Sequence, residues 1–156
     1  MIKIEIPGWG DMDVENMILD LNGTIATDGK ISPEVKEKIH SLSSRVKIYI
    51  LTADTQGTAS EEVRGMNIEL LRLPRESSKS GKLEFLNKVS PEKTVAIGNG
   101  NNDQLILKEA ALGIAVLGDE GTCVSTLTNA DIIVKNISNA LDLFLKPKRL
   151  IATLME

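Results

Sequence analysis

The chain has 156 residues, of which 42% are hydrophobic and 26% charged, and its net charge at neutral pH is −4. This length suits one domain over residues 1–156 with a full hydrophobic core, and no apolar run approaches the ~20 residues that a membrane-spanning helix needs. The excess of acidic residues argues against nucleic acid or an anionic membrane as the main partner, because both favour a basic face.

The first part of the chain alternates apolar runs with turn signals. Residues 2–6 predict a half-buried strand, and a second apolar run covers residues 14–21. Residues 25–31 contain an Asp-Gly pair, which is typical of a tight hairpin. Ser32 and the proline that follows it predict the start of an amphipathic helix, with Ser32 as its N-cap.

From residue 46 onward, short β-branched runs alternate regularly with helical patterns. This alternation predicts a three-layer, Rossmann-like α/β fold, in which a parallel sheet carries helices on both faces. Ligands of such sheets bind beyond the carboxyl ends of the strands. The predicted strands are 46–51, 68–73, 94–97, 114–117 and 132–134, and the predicted helices are 58–65, 79–88, 102–111, 120–127 and 138–145.

Three predicted strands end in polar residues that suit phosphate chemistry. Asp20 offers a carboxylate nucleophile on a turn softened by glycine. Thr52 offers a hydroxyl and nearby backbone N–H groups to a phosphate oxygen. The loop over residues 98–103, Gly-Asn-Gly-Asn-Asn-Asp, offers amide and carboxylate oxygens to a hard cation. Taken singly, each of these features is more typical of a turn or a helix cap.

Taken together, these features have a recognisable order. Lys79 and Lys82 open the helix before the 98–103 loop, and the order strand–Asp, strand–Thr, Lys, strand–Gly-x-Gly-x-Asn-Asp resembles the four motifs of the haloacid dehalogenase (HAD) superfamily. Within that superfamily the chain is most similar to the phosphorylation domain of P-type ATPases. Leu51-Thr52-Ala53-Asp54 resembles their Leu-Thr-Gly-Asp, and residues 98–116 resemble their Gly-Asp-Gly-x-Asn-Asp segment with its continuation. A soluble P-type-ATPase-like protein is therefore implied.

The resemblance implies a Mg²⁺-dependent phosphohydrolase that forms an aspartyl phosphate on Asp20 and acts on a small phosphorylated compound. It also implies that a lysine screens the nucleophile: Lys79 is the first choice, from its spacing to Leu86, and Lys82 is the second. The implied catalytic residues are Asp20, Asn22, Thr52 and Lys79, the substrate-binding residues are Gly23, Thr24, Ala53 and Lys82, and the Mg²⁺ ligands are Asp20, Asn22, Asn99 and Asp103.

Two positions depart from the HAD pattern. Asn22 stands where HAD phosphatases carry an aspartate that acts as general acid and base, and an amide has no useful pKa for that work. Asn99 stands where the family has a magnesium-binding aspartate, so the site loses one negative charge. We therefore expect slow or specialised turnover, and weaker binding of the cation.

Access to the site and the setting of the chain also follow from the residues. HAD caps are inserted after the nucleophile or before the lysine, and here residues 25–31 and 74–78 leave no room for one. Capless relatives form tetramers, which suggests a homo-oligomer by analogy. Apolar residues of segment 150–155 are expected to pack on the core or on a neighbouring subunit.

Cys123 is the only cysteine, which excludes an intramolecular disulfide and favours a cytoplasmic protein.

Two other interpretations remain open. Asn22 and Asn99 favour a HAD-fold binding or regulatory protein that has lost effective catalysis. A receiver-type doubly wound domain is the other alternative, and it does not readily explain the arrangement of Lys79 and Asp103.

Overall fold

The structure is a computed structural model, and it describes residues 1–53 and 58–156. Asp54, the last residue of the Leu-Thr-Ala-Asp motif, lies outside the described residues. The strands are β1 (Ile2–Ile6), β2 (Gly10–Val14), β3 (Asn16–Asp20), β4 (Lys47–Thr52), β5 (Glu69–Arg72), β6 (Thr94–Gly98), β7 (Leu112–Val116) and β8 (Ile132–Val134). The helices are α1 (Pro33–Ser43), α2 (Thr58–Glu62), α3 (Ser78–Val89), α4 (Gln104–Glu109), α5 (Val124–Leu127), α6 (Ile137–Leu145) and α7 (Pro147–Leu154).

Six strands form one sheet in the order β5-β4-β3-β6-β7-β8, and every neighbouring pair in it is parallel. The predicted α/β class is therefore confirmed. β3 lies in the middle of the sheet, and all five of its residues are buried. Because the strands are parallel, the carboxyl ends of β3, β4 and β6 lie together at one edge. That edge carries Asp20, Thr52 and Gly98.

Alternate residues of each strand face two separate apolar layers, as the pleat of a strand requires. Met17 and Leu19 of β3 face a core that also contains buried residues of α1, α6, α7 and the β1–β2 hairpin. Ile18 faces the opposite layer, where it packs with Leu86 of α3 and Ile106 of α4. Helices therefore cover both faces of the sheet, as the sequence predicts.

The hairpin and the start of α1 also follow the prediction. Thr27 and Lys30 exchange backbone hydrogen bonds of 2.9 and 3.0 Å. Asp28 and Gly29 between them have φ values of 52° and 78°, the left-handed region that a two-residue hairpin turn requires. The Ser32 hydroxyl accepts a hydrogen bond from the backbone N–H of Val35 and so caps α1.

Two elements lie outside the sequence prediction. β1 pairs in antiparallel fashion with β2 (Gly10–Val14), whose glycine and two aspartates are more typical of a turn than of a strand. Pro147 opens α7, whose Leu150 is fully buried in the main core. Of the two fates expected for the apolar residues near position 150, packing on the core is the one observed.

Only short segments join the elements around the carboxyl ends of β3, β4 and β6. The chain between β3 and α1 is 12 residues long, and among the described residues no segment forms a cap over Asp20, Thr52 or Gly98. No helix in residues 1–53 or 58–156 is long and apolar enough to cross a membrane.

Candidate active site

Asp20 is the last residue of β3, and its side chain is held between two partners. Its Oδ1 accepts a hydrogen bond from Lys82 Nζ at 2.7 Å, and its Oδ2 accepts one from the Thr24 hydroxyl at 3.2 Å. Asp20 is only 7% exposed, so its carboxylate is largely shielded from solvent. The parallel sheet thus presents one carboxylate at the position that the sequence predicts.

The expectation that Lys79 screens this carboxylate is wrong, because Lys82 contacts Asp20 instead. Lys82 Nζ lies 2.7 Å from Asp20 Oδ1 and 2.7 Å from Asp103 Oδ1, and the side chain is fully buried. Lys79 lies one turn earlier on α3, where its Nζ donates to Asn101 Oδ1 at 2.9 Å and to Gln104 Oε1 at 3.2 Å. Lys82 is one helical turn from Leu86 and lies on the same buried face of α3. Lys79 points instead towards Asn101 and Gln104.

Asp103 is fully buried and has both oxygens engaged. Oδ1 accepts from Lys82, and Oδ2 accepts from the backbone N–H groups of Asn99 and Gly100, each at 3.0 Å. A Cβ at position 98 would lie 2.4 Å from Asp103 Cγ, so only glycine allows this approach. The glycine-rich loop is therefore shaped around a carboxylate that holds its backbone.

The charges of this cluster do not balance, because two buried carboxylates face one ammonium group. Burial and the neighbouring Asp103 raise the pKa of Asp20 to about 7, although Lys82 and Thr24 act in the opposite direction. Burial lowers the pKa of Lys82, but Asp20 and Asp103 outweigh that effect and raise it. The lysine therefore stays charged, and the cluster gains from any further positive charge beside Asp20.

The hydroxyl proton of Thr24 is shared between two acceptors, Asp20 and Asn99. Thr24 Oγ1 lies 3.2 Å from Asp20 Oδ2 and 3.0 Å from Asn99 Oδ1, and a hydroxyl has a single proton to donate. The orientation of the Asn99 amide is fixed by its nitrogen, which donates to the Gly121 carbonyl at 3.0 Å. Three oxygen atoms, of Thr24, Asp20 and Asn99, therefore lie around a single proton. Such a group of oxygen atoms suits a hard cation.

A cavity of about 280 Å³ opens over these groups. Five of the ten site residues that the sequence predicts line it, namely Asp20, Asn22, Thr52, Ala53 and Asn99. Gly23 lies beneath it with φ 78°, next to the Asn99 side chain. Sequence reasoning missed Arg75, although a polar residue shortly after β5 satisfies the rule used to find the others. The lining residues are Asp20, Asn22, Thr52, Ala53, Arg75, Asn99, Gly100 and Asn102.

The residues at this edge fit a divalent cation that prefers oxygen ligands. Asp20, Asn99 and Asp103 supply two carboxylates and one amide oxygen, and Mg²⁺ is commonly held by one or two carboxylates together with phosphate and water. In the described part of the chain no cluster of three or more His, Cys, Asp or Glu residues forms a denser metal site. The site therefore suits a cation that substrate oxygens help to bind.

Comparison with known sequences gives relatives but no family model, since none matches the chain. An uncharacterized protein of Methanocaldococcus jannaschii is 52% identical over 81 residues, which are 49% of this chain and 87% of that protein, and the two belong to one family. A soluble P-type ATPase-like phosphatase of the same organism is 28% identical over 140 residues, which are 87% of this chain. The chain spans about half of that phosphatase, because the match covers 51% of its length.

Comparison with solved structures decides the fold. The 3-deoxy-D-manno-octulosonate 8-phosphate phosphatase of Moraxella catarrhalis, solved with magnesium, phosphate and its sugar, has a TM-score of 0.73 at 15% identity and covers 92% of this chain and 94% of its own. The chain therefore has the fold of haloacid dehalogenase-type phosphatases, and solved HAD-superfamily hydrolases share it. The cobalt-bound phosphatase of the same type from Haemophilus influenzae has a TM-score of 0.72 at 12% identity and covers 91% of this chain and 93% of its own.

Proposed function

We propose that this HAD-fold chain is a Mg²⁺-dependent phosphohydrolase that acts on a small phosphorylated compound through an aspartyl phosphate on Asp20. The observation that carries the proposal is the buried contact of Lys82 with both Asp20 and Asp103, each at 2.7 Å, at the floor of an open cavity of about 280 Å³. A structural ion pair has no need of a second carboxylate that leaves the pair with excess negative charge. A site that binds a cation and transfers a phosphoryl group needs that excess.

In the proposed reaction, an oxygen of Asp20 attacks phosphorus. The new Asp20 O–P bond forms while the bond to the leaving oxygen breaks, and the leaving group departs with the electron pair. Lys82 holds Oδ1 of the nucleophile and offsets the repulsion between the carboxylate and the phosphate. Thr52 and the backbone near Gly23 and Ala53 are the proposed donors to the phosphate oxygens. The oxygen of a water molecule then attacks phosphorus and the Asp20 O–P bond breaks, which regenerates the carboxylate; inorganic phosphate leaves, and the proton from water goes to the phosphate or to solvent.

The cation and the missing general acid set the limits of this chemistry. Asp20, the Asn22 carbonyl, Asn99 and Asp103 would hold Mg²⁺, which would supply positive charge to the phosphate oxygens in the transition state. Asn22 lies exposed at the cavity and has no proton to give to an alkoxide leaving group. Substrates whose leaving group is already a weak base, such as acyl phosphates, are therefore proposed to react fastest.

A second function is favoured by the amide of Asn99. Its nitrogen donates to the Gly121 carbonyl, so a carboxylate at this position would place two acceptor oxygens against each other. The Asn99 amide thus has a structural role that a third carboxylate does not fill. Under this reading the chain binds a phosphorylated compound without turnover and acts as a regulatory protein.

One experiment separates the two functions. The protein is incubated with Mg²⁺ and acetyl phosphate, p-nitrophenyl phosphate or ATP, and acid-stable phosphoprotein and released phosphate are measured. The enzymatic proposal expects both products, and expects Asp20→Asn to abolish them. Phosphate binding without either product, or turnover unchanged in Asp20→Asn, contradicts it.

The missing acid gives a second, independent measurement. Restoring a carboxyl group with Asn22→Asp is expected to raise turnover of an alkyl phosphate, because general acid–base catalysis is typically worth ~10²–10⁴ in rate. The same variant should change acetyl phosphate turnover much less, since that leaving group needs little protonation.

The domain organisation, location and oligomeric state of the chain remain predictions. We propose that residues 1–156 act as one domain in the cytoplasm, with a homo-oligomer covering the open site. Gel filtration with light scattering tests the last of these directly.

A further inference from the structure

A second cavity of about 480 Å³, which the proposed chemistry does not use, lies next to the cavity over Asp20. Arg75, Gly100 and Asn102 line both cavities, so a molecule that reaches from one to the other passes these three residues. The second cavity is also lined by Lys79 and by residues at the start of α3. A substrate larger than phosphate therefore has a defined place for the rest of its structure.

The second cavity carries two cationic groups, Arg75 and Lys79, that outnumber its one carboxylate, Glu76. Lys79 Nζ is oriented by two neutral amide oxygens, of Asn101 and Gln104, and an ammonium group has a third proton to donate. Arg75 is exposed, and among the described residues neither cation takes part in an ion pair. Glu76 lines the same cavity, which leaves a net charge of one positive unit.

The backbone that carries Arg75 is tied to the catalytic cluster through hydrogen bonds. The Ser78 hydroxyl donates to the Arg75 carbonyl at 3.2 Å and accepts from Asn102 Nδ2 at 3.2 Å. Asn102 Oδ1 in turn accepts from Lys82 Nζ at 3.3 Å. Arg75 is therefore held at a fixed place relative to Asp20. The first turn of α3, where Lys79 lies, adds the positive end of a 12-residue helix.

We propose that Arg75 and Lys79 bind a second anionic group, carried by the part of the substrate beyond the phosphate. This inference rests on the proposed function and narrows its substrate class to phosphorylated compounds with an additional carboxylate or phosphate. The one positive unit of net charge matches one added anionic group, and an arginine pairs with a planar carboxylate through two parallel hydrogen bonds. A neutral phosphorylated sugar or alcohol would leave both cations without a partner.

Binding is tested with phosphonates, which are not hydrolysed and so need no turnover. Isothermal titration with Mg²⁺ compares 4-carboxybenzylphosphonate with its methyl ester, which has the same shape without the charge. The carboxylate is expected to bind at least tenfold more tightly, in line with a charge-assisted hydrogen bond. Arg75→Gln and Lys79→Met are each expected to remove most of this preference and to leave binding of the ester unchanged.

The control variant is Lys148→Met, which removes an exposed lysine of α7 that has no ion pair among the described residues. It is expected to keep the full preference. Lys79→Arg is expected to keep it as well, since the positive charge is retained. Equal binding of the two phosphonates by the unaltered protein overturns the proposal, as does an equal loss for both ligands in Arg75→Gln.

Kinetics separate this inference from the proposed function. With 4-carboxyphenyl phosphate and its methyl ester as substrates, Arg75→Gln and Lys79→Met are expected to raise KM for the carboxylate alone, with kcat unchanged. Absence of turnover with the phosphonate preference intact supports the anion site and refutes the enzyme. Turnover with no preference refutes the anion site and leaves the enzyme in place.

Discussion

Two carboxylates contact Lys82, and replacing them with amides is expected to have opposite effects on stability. Asp20→Asn is expected to raise the free energy of unfolding, and Asp103→Asn is expected to lower it. In Asp20→Asn, the amide oxygen can still accept from Lys82, and the amide nitrogen then faces Thr24. The Thr24 hydroxyl can accept from that nitrogen and turn its own proton to Asn99 Oδ1, which lies 3.0 Å away. No hydrogen bond is lost, and one of two crowded negative charges is removed.

Asp103→Asn has no such arrangement. One oxygen of Asp103 faces the Lys82 ammonium, and the other faces two backbone N–H groups at 3.0 Å each. An amide nitrogen on either side therefore meets donors and leaves them without an acceptor. Breaking a buried, paired charge in this way costs about 3–5 kcal/mol.

The size of the gain in Asp20→Asn follows from the pKa. A carboxyl pKa raised from 3.8 to about 7 means that the folded protein disfavours the ionised form. At about 1.4 kcal/mol per pKa unit, this penalty is at most roughly 4 kcal/mol above pH 7. Burial of the polar amide that replaces the carboxylate offsets part of it. A gain of about 1–3 kcal/mol in the free energy of unfolding is therefore expected at pH 7.5.

The gain in stability from Asp20→Asn is expected to depend on pH. Because the folded pKa of Asp20 is raised, its ionisation removes stability as pH rises from about 4 towards 7. The difference between Asp20→Asn and the unaltered protein should thus be near zero at pH 4 and grow to its full size above pH 7. Urea unfolding in the presence of EDTA measures it. A variant less stable than the parent at pH 7.5, or a difference independent of pH, would refute the reasoning.

Further predictions concern the two lysines and two glycines. Lys82→Met is expected to abolish phosphoprotein formation, whereas Lys79→Met should still form phosphoprotein with acetyl phosphate, and labelling in acid-quenched gels decides between them. Gly113→Ala would place a Cβ 2.0 Å from the Leu107 carbonyl oxygen, so a loss of several kcal/mol is expected in urea unfolding. Gly81 lies inside α3, and a Cβ there would meet its nearest side-chain atoms, those of Leu73, at an ordinary contact distance of 3.5 Å. Gly81→Ala is therefore expected to stabilise the protein by about 0.5–1 kcal/mol in the same assay.

The sequence predicted the catalytic edge of the sheet because its signals are local. Asp20, Thr52 and the 98–103 loop each follow a run of buried residues, and the rule that parallel strands end together places them at one edge. The turn between Thr27 and Lys30 was equally local, since Asp-Gly is among the few pairs that tolerate two positive φ values.

The choice between the two lysines was not local. Lys79 and Lys82 lie three residues apart, so both fall near one side of α3, and hydrophobicity counts each as a surface residue. Only the packing of Leu86 against the sheet shows that Lys82 is on the buried side. A buried lysine is stable there because two carboxylates from distant parts of the chain meet it, and such long-range pairing leaves no periodic signal.

β2 and α7 were missed for a related reason. The segment of β2 contains two aspartates beside Met12 and Val14, and aspartate is common in turns. The segment therefore resembles a polar turn, and it becomes a strand because β1 supplies a partner for its backbone. The short amphipathic pattern of α7 fits an exposed tail equally well, and only its contact with β1 and α6 buries Leu150.

The turn at Asp28 and Gly29 has a consequence for protein engineering. The backbones of Thr27 and Lys30 are hydrogen-bonded to each other, so the ends of any inserted segment would start and finish side by side. Both turn residues are exposed, and no strand of the six-stranded sheet passes through them. A small folded domain could therefore be grafted at this point without disturbing the six-stranded sheet that holds Asp20.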